Sequence, residues 1–247
     1  MSYYRCSRCV MDSSAADIEF DELGRCNYCT EFASRIGLLG LASSSSARDR
    51  FIVQVKHDGK RREYDCIVGL SGGVDSSYLV YIAKELMGLR PLVFHVDAGW
   101  NSSIASNNIE KLIDKLKLDL YTEVINWKEM RDLQLSFFKS GVSHIDSPQD
   151  YAFFATLYKY ACKFNIKTIL TGANFSTECI RNPIDWMYFQ SDDKQLRSIH
   201  KQFGTIKLRS FPRTHILWHK IYLPYFKKIK VIKPLNYFKY DKQKAKE

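Results

Sequence analysis

The sequence from Tyr64 to Gly88 reads YDCIVGLSGGVDSSYLVYIAKELMG, and it decides the fold that we expect for this chain. Its first part contains a short apolar run bounded by glycine, which favours a buried strand. Its last part carries apolar residues at the spacing of one face of an amphipathic helix, and Gly88 follows where such a helix is expected to end. The order strand, glycine-rich turn, helix directs backbone N–H groups and the positive end of a helix dipole to one point, an arrangement that binds phosphate. The apolar residues of the two elements are Ile67, Val68 and Leu70, then Leu79, Ile82, Ala83 and Leu86.

The turn itself, Ser71 to Ser77, reads SGGVDSS. It has no lysine, so it is not a Walker loop, and the dinucleotide fingerprint G-x-G-x-x-G is absent as well. The turn resembles the PP-loop of the ATP pyrophosphatase family, S-G-G-x-D-S. In that family the loop holds the β,γ-pyrophosphate of ATP as a leaving group while the α-phosphate is attacked. The alternative is a plain Gly-Ser turn between a strand and a helix.

The resemblance implies a role for each residue type in the turn. Gly72 and Gly73 let the backbone approach the phosphates closely. The serine hydroxyls are donors, and Asp75 would hold the Mg²⁺ that neutralises the departing pyrophosphate. We expect the catalytic residues to be Ser71, Asp75 and Glu178. We expect the nucleotide-binding residues to be Ser71, Gly72, Gly73, Val74, Asp75, Ser76, Ser77, Asp97 and Gly172.

A second pattern lies near the start of the chain. Cys6-x-x-Cys9 and Cys26-x-x-Cys29 have the spacing of a four-thiolate zinc site. Four cysteines leave no open position for water, so we expect a structural role for Cys6, Cys9, Cys26 and Cys29. Four unrelated reduced thiols, a redox pair or an iron–sulfur site are the alternatives.

Length and composition restrict the class of protein. The 247 residues, 45% of them hydrophobic, suit one α/β domain with a small appendage. No run of 18 apolar residues exists, so no membrane span is expected, and MSYYRCSRC lacks the apolar stretch of a signal peptide. We therefore expect a cytoplasmic protein with reduced cysteines. The net charge of +10 would attract RNA, an anionic membrane surface or an acidic substrate, or would only improve solubility.

Along the chain we expect three parts: a cysteine module and leading helix over 1–40, a serine-rich linker over 41–63, and the phosphate-loop domain over 64–247. Further strands are predicted within 91–100, ending at Asp97, and over 119–126 and 166–174, and helices over 109–116, 127–139 and 151–163. This alternation predicts a doubly wound, mostly parallel sheet with ligands beyond the carboxyl ends of its strands. The fold would be that of the adenine nucleotide alpha hydrolases. The last residues end abruptly in a charged run, so we also expect a C-terminally truncated chain.

Several polar residues follow the ends of predicted strands. Asp97 would form part of the nucleotide wall, or would only cap the next helix. His95 lies within its strand and is expected to be a core residue. In PP-loop enzymes a glycine lies against the AMP moiety, a role that falls here to Gly172. Glu178 would be a second metal ligand or a substrate contact.

The loop over 141–150 is expected to contact substrate because binding residues concentrate on loops. Asp146 or Ser147 would alternatively only cap the helix that follows. The stretch HILWHKIYLPYFKKIK, 215–230, is expected to form a core helix with a solvated face, with contact to a partner or to nucleic acid as the alternatives. The expected substrate-binding residues are His144, Asp146, Gln149, Asp150, Asn174 and Thr177.

Together these stretches resemble a narrower family, the N-acetyl sugar amidotransferases of bacterial surface-polysaccharide and O-antigen (lipopolysaccharide) pathways. The resemblance implies that ATP adenylates the amide oxygen of a nucleotide-linked N-acetyl sugar. Ammonia then displaces AMP and leaves an acetamidino group. It further implies separate glutaminase and synthase-like partners that supply the ammonia, and neither a membrane nor a nucleic acid as partner. The matching stretches are CSRCVMD, DELGRCNYC, CIVGLSGGVDSS, HVDAGWNS, DLYTEVINWKEMRDLQ, HIDSPQD and GAN-x-STE.

A tRNA-thiolating PP-loop enzyme is the alternative function. Such enzymes also adenylate a carbonyl-type oxygen, some carry four-cysteine zinc modules, and the positive charge would suit RNA. Against this alternative, Cys162 and Cys179 stand singly, and no second cysteine pair is present to carry persulfide sulfur.

Overall fold

The computed structural model describes residues 3–42, 45–175, 192–238 and 240–246, and the side chains within them except at 36–42 and 246. Its centre is a five-stranded sheet in the order β3-β2-β1-β4-β5, in which every neighbouring pair is parallel. The expected fold class, a doubly wound parallel α/β sheet, is thereby confirmed. The strands are β1 (Cys66–Gly69), β2 (Pro91–Asp97), β3 (Leu120–Val124), β4 (Thr168–Leu170) and β5 (Lys230–Ile232).

Helices cover both faces of the sheet. On one face α5, α6 and α7 pack over a core that includes Phe94, Met130 and Phe137. On the other face α2, α3 and α4 pack over a core that includes Leu79 and Ile109. None of the described helices is long and apolar enough to cross a membrane. The helices are α1 (Asn27–Ala42), α2 (Ser45–Gly59), α3 (Val74–Tyr81), α4 (Ser103–Leu116), α5 (Trp127–Ser140), α6 (Ser147–Lys163) and α7 (Asp193–Phe203), with π-helices at Ile82–Leu86 and Trp218–Phe226 and 3₁₀ turns at Pro234–Tyr237 and Lys244–Lys246.

Strand β1 occupies the middle of the sheet because it is apolar on both sides. Cys66, Ile67 and Val68 are fully buried, as a strand between two helical layers requires. From β1 the chain passes to β2 and β3 on one side, then returns to β4 and β5 on the other. This reversal opens a crevice at the carboxyl end of β1, where the turn Ser71 to Ser77 begins.

The segment expected to be a linker, 41–63, contains helix α2. Val55 is buried, and the ring of Phe51 stacks on Tyr237 with centroids 5.5 Å apart. The serine-rich start of α2 resembles a linker in composition, but the inner face of the helix packs in the core. The division of the chain into domains stays a prediction.

Helix α6 begins at Ser147, four residues before the predicted start at Tyr151. Pro148 lies in its first turn, where the missing N–H and the fixed φ of proline suit a helix start. Gln149 and Asp150 therefore belong to the helix and not to the preceding loop.

The stretch 215–230 differs from the expected core helix. It forms a π-helix, Trp218–Phe226, with Pro224 inside, and only Leu223 of that helix is buried. Proline supplies no N–H for regular α-helical pairing, which favours the wider turn. Strand β5 follows, and its three residues were not predicted.

Two buried carboxylates of α5 fix the loop after α7. Glu129 accepts the backbone N–H groups of Arg209, Ser210 and Phe211 at 2.7–3.1 Å. Asp132 accepts the N–H of Thr205 at 3.1 Å and faces Nε2 of His200 at 3.0 Å. Burial acts to raise the pKa of both carboxyls, but these donors outweigh it, so both pKa values are lowered.

Candidate functional site

A cavity of about 430 Å³ opens at the carboxyl ends of β1, β2 and β4. The floor is the turn after β1, and the start of α6 forms part of the wall. The crevice that the sheet topology requires is therefore present at the expected edge. The lining residues are Gly69, Leu70, Ser71, Gly73, Asp75, Ser76, His95, Val96, Asn101, Gln149, Asp150, Phe153, Thr171, Gly172 and Ala173.

The serine hydroxyls form hydrogen bonds within the turn. The N–H of Ser71 donates to Oγ of Ser76 at 3.2 Å, and the two hydroxyl oxygens lie 3.1 Å apart. The Ser76 hydroxyl also lies 3.1 Å from the carbonyl oxygen of Gly73, to which it donates. Helix α3 starts within this stretch, at Val74, and the first N–H groups of a helix have no partner within it. The turn thus presents hydroxyl and backbone N–H donors, the groups from which a phosphate accepts hydrogen bonds.

Gly72 is required by both its conformation and its surroundings. Its φ is +78°, and a Cβ there would lie 2.5 Å from the carbonyl oxygen of Ala105 in α4. The side-chain amide of Asn108 donates to the Gly72 carbonyl at 3.3 Å. Helix α4 therefore supports the turn from behind, and any side chain at position 72 would displace it.

Gly172 brings the end of β4 against the same turn. A Cβ at this position would lie 3.2 Å from the carbonyl carbon of Asp75 and from the nitrogen of Ser76. Gly172, one of the residues predicted to bind the nucleotide, lines the cavity. Three other predicted nucleotide-binding residues of the turn do not line it: Gly72, Val74 and Ser77.

Asp75 is held by residues from the far end of the chain. The hydroxyl of Tyr240 donates a hydrogen bond to Oδ1 of Asp75, and Nζ of Lys242 lies 3.5 Å from Oδ2. Burial and the neighbouring Asp75 carboxylate raise the pKa of Tyr240. Sequence reasoning missed both partners because nothing in the C-terminal run links it to the phosphate turn.

His95 is buried, as predicted for a core residue, yet it also lines the cavity. Its Nδ1 lies 2.8 Å from the carbonyl oxygen of Leu70, and its Nε2 lies 3.0 Å from the side-chain amide nitrogen of Asn101. In this arrangement Nδ1 donates and Nε2 accepts, which describes a neutral imidazole. Its position within a buried, mostly apolar strand marks His95 as a core residue and gives no sign that the ring reaches a site.

Of the four residues expected to bind substrate from the loop 141–150, two reach the cavity. Gln149 and Asp150 line it from the first turn of α6. His144 and Asp146 do not line it. Asp146 takes the N-cap position of α6, but its side chain makes no capping hydrogen bond.

The remaining predicted residues lie apart from the cavity or outside the described residues. Asp97 accepts the N–H of Gly99 at 2.8 Å and does not line the cavity. It does not cap α4 either, since Oγ of Ser102 accepts the N–H of Ala105 at 3.1 Å. Asn174 is buried, and its amide donates to the carbonyl of Gly172 at 3.1 Å. Thr177 and Glu178 fall outside the described residues.

The four cysteines near the start of the chain converge in space. Their sulfur atoms all lie within 4.8 Å of one another, with Cys6 and Cys29 at 3.9 Å and Cys9 and Cys26 at 3.6 Å. Four thiolates about 2.3 Å from a tetrahedral zinc ion have sulfur–sulfur separations of about 3.8 Å. The backbone N–H of Cys26 also points at Sγ of Cys6, at 3.2 Å. The cluster is positioned to hold a metal ion.

Two further described cysteines are poorly placed for chemistry at the cavity. Cys66 is fully buried in β1, and burial raises the pKa of its thiol. Cys162 lies on α6 about three helical turns beyond Asp150, and burial raises its pKa as well.

Comparison of the sequence with protein-family profiles gave no match, and comparison with curated proteins gave none either. Among solved structures, the glutamine-dependent NAD⁺ synthetase from Acinetobacter baumannii is 20% identical with a TM-score of 0.42, over 53% of this chain and 24% of that chain. The chain thus spans about a quarter of that enzyme's length. The NH₃-dependent NAD synthetase from Campylobacter jejuni is 16% identical with a TM-score of 0.40, over 63% of this chain and 71% of that one.

The NMN synthetase from Francisella tularensis is also 16% identical, with a TM-score of 0.42, over 77% of this chain and 89% of that one. Identities and scores this low carry no argument about what this chain does, so its chemistry has to be inferred from the site itself.

Proposed function

We propose that this protein is an ATP-dependent, AMP-forming amidotransferase that acts on the N-acetyl group of a nucleotide-linked sugar, within surface-polysaccharide biosynthesis. The observation that carries the proposal is the glycine and serine turn at the start of α3, which opens into the cavity at the switch point of the sheet. The close contacts at Gly72 and Gly172 support it, since both glycines let a neighbouring element, α4 or the end of β4, pack directly against the turn. The sugar and its pathway rest on the sequence resemblance.

In this proposal ATP binds in the cavity, with its polyphosphate on the turn. The hydroxyls of Ser71 and Ser76 and the first N–H groups of α3 would hold the departing pyrophosphate. Asp75 would hold Mg²⁺, a cation that prefers carboxylate oxygens. Lys242 occupies one oxygen of Asp75, so the ammonium group has to leave that oxygen when a metal ion binds there.

The reaction balances without any further reactant. The amide oxygen of the N-acetyl group attacks the α-phosphorus, which forms a P–O bond and releases pyrophosphate. Ammonia then attacks the activated carbon, the C–O bond to AMP breaks, and the proton lost by ammonia passes to a base. Asp150 lines the cavity beside the turn and is the candidate for that base, while Gln149 would orient the sugar amide.

We also propose that zinc occupies the four-cysteine cluster, that the protein works in the cytoplasm, and that separate glutaminase and synthase-like partners supply the ammonia. A purified chain should therefore turn over with ammonium salts and not with glutamine. Glutamine-dependent turnover by the lone chain would contradict the proposed partners.

The decisive experiment is mass spectrometry of reactions that contain the protein, ATP, Mg²⁺, ammonium and a panel of UDP-N-acetyl sugars. The expected product is lighter than the sugar by the difference between O and NH, with AMP and pyrophosphate formed in equal amounts. A matched reaction with Asp75→Asn should lose the product. Formation of ADP, or an unchanged sugar with every candidate tested, would refute the proposal.

The tRNA-thiolating alternative gains no specific support from the described residues. Neither described cysteine outside the metal cluster is placed to carry sulfur to the cavity, since Cys66 is fully buried in the sheet and Cys162 is remote from the phosphate turn.

A further inference from the structure

The positive charge of this protein is concentrated in one stretch. From Lys194 to Tyr240 the sequence contains twelve Lys and Arg residues and neither Asp nor Glu. The whole chain has 37 basic and 27 acidic residues, which leaves 25 basic and 27 acidic residues outside the stretch. The net charge of +10 is therefore a local property of this part of the molecule.

An exposed apolar surface lies within the same stretch. A π-helix pairs residues five apart, so side chains four and five positions apart share a face. The π-helix Trp218–Phe226 and the residue before it follow this spacing with large apolar residues that are all exposed, Tyr225 by 73% and Phe226 by 70%. An exposed apolar face of this kind marks an interaction site. We name this face the aromatic stripe: Leu217, Ile221, Tyr222, Tyr225 and Phe226.

Uncompensated cations border the stripe. Lys227 and Lys228 follow it directly, and Nζ of Lys167 donates to the carbonyl of Lys227 at 2.6 Å. Burial lowers the pKa of Lys167, and the neighbouring charges of Arg62, Lys227 and Lys228 lower it further. In the part of the chain that the structure describes, none of Lys167, Lys227 and Lys228 forms an ion pair. We name the group Arg62, Lys167, Lys227 and Lys228 the cationic cluster.

The cationic cluster lies at the end of the sheet opposite to the cavity. Lys167 directly precedes β4, and Lys228 lies two positions before the start of β5, so both lie at the amino ends of strands. The cavity lies at the carboxyl ends. A surface bound to the cluster would leave the cavity open.

We propose that the aromatic stripe and the cationic cluster form one face that binds the surface of an anionic lipid bilayer. Aliphatic and aromatic side chains bordered by lysines suit the boundary between headgroups and acyl chains. Each lysine near such a surface adds attraction to anionic lipids. RNA would use the cations and stack on the rings, but it makes little use of aliphatic side chains such as Leu217 and Ile221.

This inference departs from the sequence-based expectation of no membrane partner. That expectation followed from the missing membrane span and from the family resemblance, whereas peripheral binding needs no span. It is also independent of the reaction proposed above.

Co-sedimentation of the full chain with vesicles tests the proposal. The protein should pellet with phosphatidylcholine vesicles that contain phosphatidylglycerol, remain in solution with pure phosphatidylcholine, and be released by high salt. The double variants Tyr225→Ser/Phe226→Ser and Lys227→Gln/Lys228→Gln should each weaken binding about tenfold or more. Matched controls are Val10→Ser/Leu23→Ser, exposed apolar residues of the cysteine module, and Lys111→Gln/Lys115→Gln, exposed cations of α4, and both should bind like the wild type.

Three results would overturn the proposal: no pelleting with anionic vesicles, equal pelleting with neutral ones, or unchanged binding by both stripe and cluster variants. Binding to an RNA pool without binding to vesicles would assign the face to nucleic acid and overturn it as well. Circular dichroism would reveal a misfolded variant. In that case the lipid and salt dependence of wild-type binding still tests whether the face binds anionic bilayers.

Discussion

The hydroxyl of Tyr240 donates a hydrogen bond to Asp75, 165 positions earlier in the sequence. The Tyr240 ring is buried beside Tyr78, with centroids 5.5 Å apart, so the hydroxyl is held in place. The carboxylate proposed to bind magnesium is thus oriented by the end of the described chain and not by the phosphate turn alone.

Tyr240→Phe should weaken binding of Mg²⁺–ATP about tenfold, because a hydrogen bond to a charged group contributes about 1.5–3 kcal/mol and the ring is retained. Isothermal titration calorimetry with ATP at several Mg²⁺ concentrations measures the effect. The matched control is Tyr237→Phe, whose ring stacks on Phe51. Equal affinities for the two variants would show that the Tyr240 hydroxyl does not position Asp75.

Gly72→Ala should destabilise the protein more than Gly141→Ala does. Both glycines have positive φ, +78° and +70°, so both substitutions carry the strain of a left-handed residue, about 1–2 kcal/mol. Only at Gly72 would the new Cβ meet backbone, since nothing lies within 4 Å of the corresponding position at Gly141. In Gly72→Ala this overpacking should lower the free energy of unfolding by about 1–3 kcal/mol more than the backbone strain alone does.

Urea denaturation measures the two glycine variants, and ATP binding should be lost in Gly72→Ala and kept in Gly141→Ala. Similar free energies of unfolding for both variants would mean that α4 shifts to accommodate the Cβ added at position 72.

Glu129→Gln should lower the free energy of unfolding at neutral pH by about 2 kcal/mol, because three backbone donors lose a charged acceptor. The folded-state pKa of Glu129 lies below its unfolded value. Its stabilising contribution is therefore complete above the unfolded pKa, about 4.3, and is lost as the pH falls through the folded value.

Urea denaturation between pH 7 and pH 3 should show a shallower acid loss of stability for Glu129→Gln than for the wild type. An exposed carboxylate of α4 provides the control, Glu110→Gln, which should follow the wild-type curve. A parallel curve for Glu129→Gln would show that this carboxyl does not account for the acid sensitivity.

The chain should contain one zinc ion, and Cys26→Ser should remove it, because a hydroxyl replaces a thiolate in the cluster. Elemental analysis of the purified proteins measures the metal content. Cys162→Ser, outside the cluster, should keep the metal. Retention of a full equivalent of zinc by Cys26→Ser would place the metal elsewhere, and iron instead of zinc would favour an iron–sulfur site.

Local patterns predicted the parts of the fold that local interactions determine. The strand, turn and helix around Ser71 follow from apolar periodicity and from two glycines, and the structure has them in that order. The paired cysteines likewise meet, because each pair lies on a short turn. The pair Ser147-Pro148 is typical of a helix start, but the polar residues around it suit a substrate-binding loop equally well.

The remaining features depend on distant parts of the chain. No pattern near Asp75 indicates Tyr240 or Lys242, since their contact exists only after the chain has passed through the whole sheet. His95 lies within a buried strand, as a core residue would, and its hydrogen bonds to Asn101 and to the Leu70 carbonyl, which hold its ring at the cavity, cannot be read from the sequence. Exposure of the stretch 215–230 could not be foreseen either, because its apolar content is that of a core helix.

The strand order also has a consequence for synthesis on the ribosome. β1 is the first strand to be synthesised, and its neighbour β2 follows soon afterwards. Its other neighbour is β4, in which Ile169 pairs with Ile67, and β4 is synthesised about 100 residues later. At typical translation speeds that interval lasts roughly 5–20 s. During it one edge of an entirely apolar strand has no partner, which makes the nascent chain prone to aggregation. Chaperone demand should therefore be greatest while the region between β2 and β4 is being translated.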